Sequence, residues 1–247
     1  MKVLGIDIGG SGIKGALVDT NTGRLVSPRH RIKTPDPSTP KAVAEAVAAM
    51  VRHFRWRGPV GCGMPGPIQN GTVLTVANLH RDWPGKNAET LFRKAAGRNV
   101  RVVNDADAAG LAEMTFGAGK QARGVVILLT LGTGIGSALF VDGTLVPNTE
   151  FGQIEVDGRI AERRAAARVR KEEDLSWPQW GKRLNRYVQS LEELTYPGLI
   201  IVGGGVSRRW SKFSHHLQLR CKAVPARFHN EAGIVGAALY AIRRKPR

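Results

Sequence analysis

Twice in this chain an apolar strand runs into a glycine-built turn and leaves it as a second apolar strand. The first unit is Lys2 to Ile8, then Gly9-Gly10-Ser11-Gly12, then Ile13 to Asp19. The second is Val125 to Thr130, then Leu131-Gly132-Thr133-Gly134-Ile135-Gly136-Ser137, then Ala138 to Val141. Two apolar runs around so short a turn predict an antiparallel hairpin. Glycines leave the backbone bare, so successive N–H groups can approach an anion closely. Lys14 adds a cation just beyond the first turn, and Asp7, at the end of the first strand, has the chemistry to hold Mg²⁺ through water. A lone turn of this kind is an ordinary glycine hairpin; the same order of parts in both halves of the chain is the stronger constraint. Both turns lead into a strand and not into a helix, so neither is the G-x-G-x-x-G turn that opens a dinucleotide-binding helix, and the chain contains no phosphate loop of the G-x-x-x-x-G-K-[ST] form.

Between the two units lies Val102-Val103-Asn104-Asp105-Ala106-Asp107. Arg101 to Val103 reads as a short buried strand, and Asp107 onward as a helix, with Ala108, Leu111 and Ala112 at helical spacing. Asn104 and Asp105 thus fall at the carboxyl end of a strand, where open α/β sheets bind ligands. A carboxylate there can take a proton from a hydroxyl that a neighbouring amide holds. Either residue serves equally well as a helix N-cap, and this stretch alone does not choose between the two roles.

Other elements follow from caps and periodicity. Leu25 to Ile32 reads as a third strand. Thr39-Pro40 opens a helix whose buried stripe is Val43, Val47, Met50, Val51 and Phe54. Val60 to Gly63 is a strand running into the stiff loop Met64-Pro65-Gly66-Pro67, and Asn87 caps a helix that ends at Gly97. Asn148 to Gly158 crowds three acids and two amides into a polar stretch suited to sugar hydroxyls or to plain solvation. Ala161 to Lys171 reads as one helix. Ser176 starts another with a capping box and a stripe of Trp180, Leu184, Tyr187, Val188, Leu191 and Leu194. Leu199 to Val202 is a strand entering a third glycine turn, Gly203-Gly204-Gly205, and Asn230 is placed to cap a final helix, Glu231 to Arg243.

Charge is the unusual bulk property. Lys and Arg number 37 against 20 Asp and Glu, a net +17 that points to a polyanionic partner. No apolar run approaches the ~18 residues of a membrane helix. An acid at Asp7 comes too early for a secretory signal, and two distant cysteines, Cys62 and Cys221, fit a reduced, cytoplasmic protein.

The set Asp7-x-Gly9-Gly10, Gly63-x-x-Gly66-Pro67, Asn104-Asp105 with Glu113, Leu131-Gly132-Thr133-Gly134-Ile135-Gly136 and Gly203-Gly204-Gly205-Val206 resembles the ROK family of sugar kinases, nearly end to end. Gly9 to Gly15, Asn148 to Gly152, Asp174 to Trp177 and Asn230 to Ala238 are similar to its branch that uses inorganic polyphosphate. The resemblance implies an α/β, actin-like (ribonuclease H-like) two-domain fold. The small domain would be residues 1–108 with the C-terminal helix 231–247, and the large domain 109–230. It implies a kinase moving the terminal phosphate of polyphosphate to the 6-hydroxyl of glucose, with Asp105 as base. Asn104, Glu150, Gln153, Glu155 and Gly66 would contact the sugar. Gly9, Gly10, Ser11, Gly12, Lys14, Gly132, Thr133, Gly134, Gly204 and Gly205 would hold phosphates, with Mg²⁺ near Asp7. Closure upon sugar would exclude water. A homodimer is the family's usual assembly.

Two departures stand out. Most ROK kinases carry a cysteine-rich zinc motif, whereas two separated cysteines cannot supply such a site, so no zinc is expected. The usual Glu-x-Gly-His reads Glu150-Phe151-Gly152-Gln153, which replaces a titrating ring with an amide and bears on sugar preference, glucose against mannose. The rival readings are an ATP-dependent glucokinase, with Gly203 to Gly205 near adenine, and a nucleic-acid-binding protein exploiting the charge. The family's DNA-binding repressors carry an N-terminal helix-turn-helix, which a first strand starting at Lys2 leaves no expectation of. No specific nucleic acid and no membrane are expected as partners.

Overall fold

Alternation along two strands fixes how the first half packs. Leu4, Ile6 and Ile8 alternate with Gly5, Asp7 and Gly9, and Val60, Cys62 and Met64 alternate with Gly61 and Gly63. Successive side chains point to opposite sheet faces, so one face is bulky and the other nearly bare. In the computed structural model, which describes residues 1–243, each face meets a helix suited to it.

The chain divides into two units, Met1–Ala112 with the segment from Glu231 onward, and Glu113–Asn230. In the first, β1 (Lys2–Gly9), β2 (Gly12–Asp19), β3 (Arg24–Leu25), β4 (His30–Ile32), β5 (Val60–Met64) and β8 (Val100–Asn104) form one sheet. The order is β3-β2-β1-β5-β8, with β4 also on β2. A small hairpin, β6 (Ile68–Gln69) and β7 (Thr72–Val73), lies within the loop after β5. The bulky face packs on α1 (Pro40–His53) through Val43, Val47 and Met50, and on α2 (Ala88–Ala96) through Phe92. The bare face receives the C-terminal helix Ala232–Ile242. A β-carbon on Gly5 would strike the Ile234 carbonyl, and one on Gly61 the Ala237 carbonyl. The same helix sets Gly236 against the Ala108 carbonyl of α3 (Asp105–Phe116). The glycines of this layer are therefore required by backbone approach, not by turns.

In the second unit the sheet order is β11 (Thr144–Val146), β10 (Ile135–Val141), β9 (Val125–Leu131), β14 (Leu199–Gly203), β15 (Lys222–Pro225). The β9–β14 and β14–β15 pairs are parallel, and β9–β10 is the antiparallel hairpin of the second glycine turn. Ile127, Leu129 and Leu131 pack with Ile200 and Val202 against α6 (Trp177–Thr195), which buries Trp180, Leu184, Tyr187, Val188 and Leu191. β12 (Glu155–Val156), β13 (Arg159–Ile160), α4 (Glu162–Ala165) and α5 (Ala167–Glu172) connect β11 to α6. Glu113 is fully buried in this unit. Its carboxylate accepts the backbone N–H groups of Ala118 at 2.8 Å, Arg227 at 2.8 Å and Phe228 at 2.7 Å, which satisfies a buried ion by local dipoles. Among the described residues no helix is long and apolar enough to cross a membrane.

Five expectations are corrected. The third strand is two, β3 and β4: Ser27 Oγ accepts the Leu17 N–H at 3.0 Å in place of a backbone carbonyl, and Pro28 has no N–H to offer. The helix after Ala161 breaks at Ala166, which is extended at φ −59°, ψ 149°, because the Trp180 indole takes the Ala165 and Ala166 carbonyls at 3.1 and 3.3 Å. Leu194 is 70% exposed, since α6 outruns the core it covers, whose last large member on that helix is Leu191. Helix α3 starts at Asp105, not Asp107. Asn230 lies in a 3₁₀ turn, His229–Glu231, and the final helix begins at Ala232 with no side-chain cap. Residues 244–247 of the expected C-terminal helix lie outside the described residues.

Gly61→Val should cost about 3 kcal/mol of stability, because the added carbons meet helix backbone that cannot move aside. Urea denaturation measures it. A midpoint equal to the parent's would contradict the close approach.

Candidate active site

Parallel pairing lines up the ends of three strands. In register, Asp7 on β1 lies beside Gly63 on β5, Gly63 beside Val103 on β8, and Met64 beside Asn104. Asp7, the loop carrying Gly66, and Asn104-Asp105 therefore share the carboxyl edge of one sheet, the edge where such sheets bind ligands.

Asn104 is 3% exposed, and its Oδ1 accepts the N–H groups of Ala106 at 2.8 Å and Asp107 at 3.0 Å. It is the N-cap of α3, so the capping role is real for this residue; its amide nitrogen remains the group with donors to present. This cap starts the helix at Asp105, two residues ahead of the expected point. Asp105 is half-buried in the first turn, with Oδ1 accepting the Ala106 N–H at 2.8 Å. Gly63 lies next to it: a β-carbon there would be in ordinary contact with the Asp105 Cα, at 3.7 Å. Gly66 has φ +102° and backs onto the Thr75 carbonyl, a conformation and a contact that no side chain tolerates.

At the first glycine turn, Gly9 and Gly12 lie opposite each other in the hairpin ladder, and Gly10 and Ser11 form its exposed tip. The Thr34 hydroxyl donates to the Gly9 carbonyl at 2.5 Å, and Arg31 donates to the Ser11 carbonyl at 2.9 Å. The Lys14 ammonium stands 3.9 Å from the Asp7 carboxylate. Burial raises the Asp7 pKa above its ordinary value, opposed by the charges of Lys14 and Arg29. Arg31 did not stand out in the sequence. Its signal is register alone, because the β2–β4 pairing sets it opposite Lys14 on β2.

In the second unit the parallel β9–β14 pair sets Gly203 beside Thr130, so the second and third glycine turns leave adjacent strands. Gly204 sits on the Leu131 backbone. The turns are not uniformly open. The Gly132 N–H donates to the Gly134 carbonyl at 2.9 Å, and the Gly132 carbonyl accepts from the Arg168 N–H at 3.0 Å. The N–H of Gly132 is thus spent inside the turn, and Thr133, exposed at the tip, is the group presented outward. Ser137 Oγ donates to the Thr149 carbonyl at 2.6 Å and accepts the Phe151 N–H at 2.9 Å, pinning Glu150 next to β10.

Glu162, absent from the expected set, is brought to the same place by α4. Its carboxylate accepts the Ile135 N–H at 2.8 Å and packs on Gly134. Burial, then the nearby Glu162 charge, raises the Glu150 pKa above its ordinary value. Gln153 and Glu155 are exposed, unlike the half-buried Glu150 and Glu162. An acid in the first turn of a short helix was the only trace of Glu162 in the sequence, and periodicity does not say which way such a residue faces.

Two α/β units with glycine turns at their strand ends define an actin-like sugar-kinase fold. The ROK family model matches residues 3–157, and the chain belongs to the ROK family. It is 49% identical over 239 residues to a polyphosphate glucokinase of Mycobacterium tuberculosis, covering 96% of this chain and 90% of that one. The crystal structure of an inorganic polyphosphate/ATP-glucomannokinase from an Arthrobacter species superposes with a TM-score of 0.92 at 48% identity, over 96% of this chain and 97% of that one. A ROK family glucokinase from Streptomyces griseus, solved with glucose and AMPPNP, shares the fold with a TM-score of 0.84 at 24% identity, over 98% and 99% of the two chains.

A glutamate whose folded pKa is raised stabilises the fold most below its unfolded value, and that contribution is lost as pH rises through the folded value. Wild-type protein should therefore lose Tm relative to Glu150→Gln as the pH rises above about 4. Parallel melting curves check this; identical pH profiles would show that Glu150 carries no such penalty.

Proposed function

We propose that this protein is a polyphosphate-dependent glucokinase, which moves the terminal phosphate of inorganic polyphosphate to the 6-hydroxyl of glucose. The observation that carries this reading is the near-full-length likeness to a protein named for that activity. In the proposed step the hydroxyl oxygen attacks the terminal phosphorus and Asp105 accepts its proton. The bond from that phosphorus to the bridging oxygen breaks, and the chain leaves one phosphate shorter. The Asn104 amide would hold the hydroxyl. Glu150, with Gln153, Glu155 and the Gly66 loop, would bind the remaining hydroxyls. Glu162 belongs with Glu150 on its position beside the second turn. Backbone N–H groups at Gly9 to Gly12, at Thr133-Gly134 and at Gly204-Gly205, with Lys14, would face the phosphoryl oxygens, where charge develops.

Mg²⁺ fits the donor set at Asp7, a single half-buried carboxylate with the Lys14 ammonium 3.9 Å away. Among the described residues no group of three or more His, Cys, Asp or Glu gathers as a closed metal cage. A cation there would rest on Asp7, water and the donor's own phosphates, as Mg²⁺ commonly does. When bound, it would neutralise phosphate charge. A homodimer and a cytoplasmic location remain part of the proposal on family likeness.

A second donor has a specific observation behind it. The Arthrobacter relative carries both polyphosphate and ATP in its name, and mannose as well as glucose.

Glucose phosphorylation with polyphosphate alone and with ATP alone separates the donors. Asp105→Asn should lower kcat by ~10²–10⁴-fold, the usual contribution of one general base, with glucose affinity changed only a few-fold. Near-normal turnover by that variant would remove Asp105 from the chemistry, and no wild-type turnover with polyphosphate would overturn the donor assignment.

A further inference from the structure

The second unit carries an open groove of about 830 Å³ whose lining includes none of the candidate sugar, phosphate or metal contacts named above. Its basic side chains are Arg208, Lys222, Arg227 and His229, all exposed, and among its described lining residues there is no acid. The walls are built, not incidental. Ala118 and Arg227 both line the groove, and both donate their backbone N–H to the single buried carboxylate of Glu113, at 2.8 Å each. Lys222 comes from β15 and Arg208 from the 3₁₀ segment Gly205–Lys212 that follows β14. The groove opens next to the third glycine turn, because Ser207, another lining residue, donates its hydroxyl to the Gly204 carbonyl at 2.8 Å. Gly204 in turn rests on Leu131, at the start of the second turn.

Three exposed cations and a histidine, with no acid among the described lining residues, make a surface that attracts an extended anion. The volume exceeds what one phosphate fills. Phe, Tyr and Trp are absent from the lining, so no such ring is there to stack a nucleobase. We infer that this groove binds the trailing phosphates of the polyphosphate chain, behind the phosphates that react, and so sets preference for long chains. The inference rests on the polyphosphate reading above and names the surface that reading requires.

The test compares long-chain polyphosphate, tripolyphosphate and ATP as donors for the unaltered enzyme and for the double variant Arg208→Gln, Arg227→Gln. Both side chains are exposed, and the backbone bond of Arg227 to Glu113 survives the change, so the variant should fold. The ratio of kcat/KM for long chains to that for tripolyphosphate should fall at least tenfold. By analogy with single-stranded nucleic acid, the log–log slope of long-chain affinity against salt should shrink by about 1.4 for two lost phosphate contacts. Lys41→Gln removes an exposed charge from α1 and should leave the ratio within twofold. An unchanged ratio in the double variant overturns the groove assignment. So does an equal loss with all three donors, which would place reacting phosphates there. Absence of any polyphosphate turnover in the unaltered enzyme overturns the underlying reading along with it, and is seen before any variant is made.

Discussion

Two hydrogen bonds from helix N–H groups to the Asn104 side chain fix the most consequential boundary in the chain. An N-cap determines where a helix begins. With Oδ1 of Asn104 taking the Ala106 and Asp107 N–H groups, α3 begins at the next residue and Asp105 becomes its first position. That puts the carboxylate in the first turn of the helix, directly after the last residue of β8. The helix is then held in place from its other side by Gly236, which lets the C-terminal helix lie directly on the Ala108 carbonyl. A residue read as a substrate contact thus acts first as an architect of the position next to it, and the two roles use different atoms of one amide.

The electrostatics follow a single rule in both units. Carboxylates near the glycine turns are kept where burial disfavours their charge, as at Asp7 and Glu150. The structural carboxylate Glu113 is surrounded by backbone dipoles that satisfy it. The first kind costs stability and leaves lone pairs to meet a ligand; the second stabilises the fold and has little left to offer. This distinction separates site residues from framework residues better than burial does, since Glu113 is the most buried of the three.

What the sequence disclosed and what it concealed divide along the range of the interaction. Local rules were sufficient for the Thr39 cap, the Ser176 capping box, the αL glycine at Gly97 and both glycine hairpins, because each is decided within a few residues. The breaks at Ser27-Pro28 and Ala166 were invisible because a distant partner makes them, Leu17 in one case and the Trp180 indole in the other. At the site, glycine clusters and Asn104-Asp105 were legible as motifs. Glu162 and Arg31 were not, since they arrive through the position of α4 and the register of β4. The spent N–H of Gly132 was hidden for the same reason: a glycine advertises a bare backbone but not whether its hydrogen bond is already made.

That last point bears on how the glycine turns and the excess of positive charge divide the work of holding a donor. A turn that consumes one of its own N–H groups, as at Gly132, has fewer donors left for an anion. Backbone dipoles act over a bond length and lose their hold beyond it, whereas fixed charges act across a Debye length of ~8 Å at physiological salt. A net +17 therefore supplies the long-range attraction that the turns lack. Arg208, Lys222 and Arg227, in no ion pair among the described residues, line one groove beside the third turn, whereas Arg164 and Arg186 are paired with Asp157 and Arg183 with Glu173. Exposed cations such as Lys41 on α1 lie elsewhere too; what marks the groove is that three of them share one lining that, among its described residues, holds no acid.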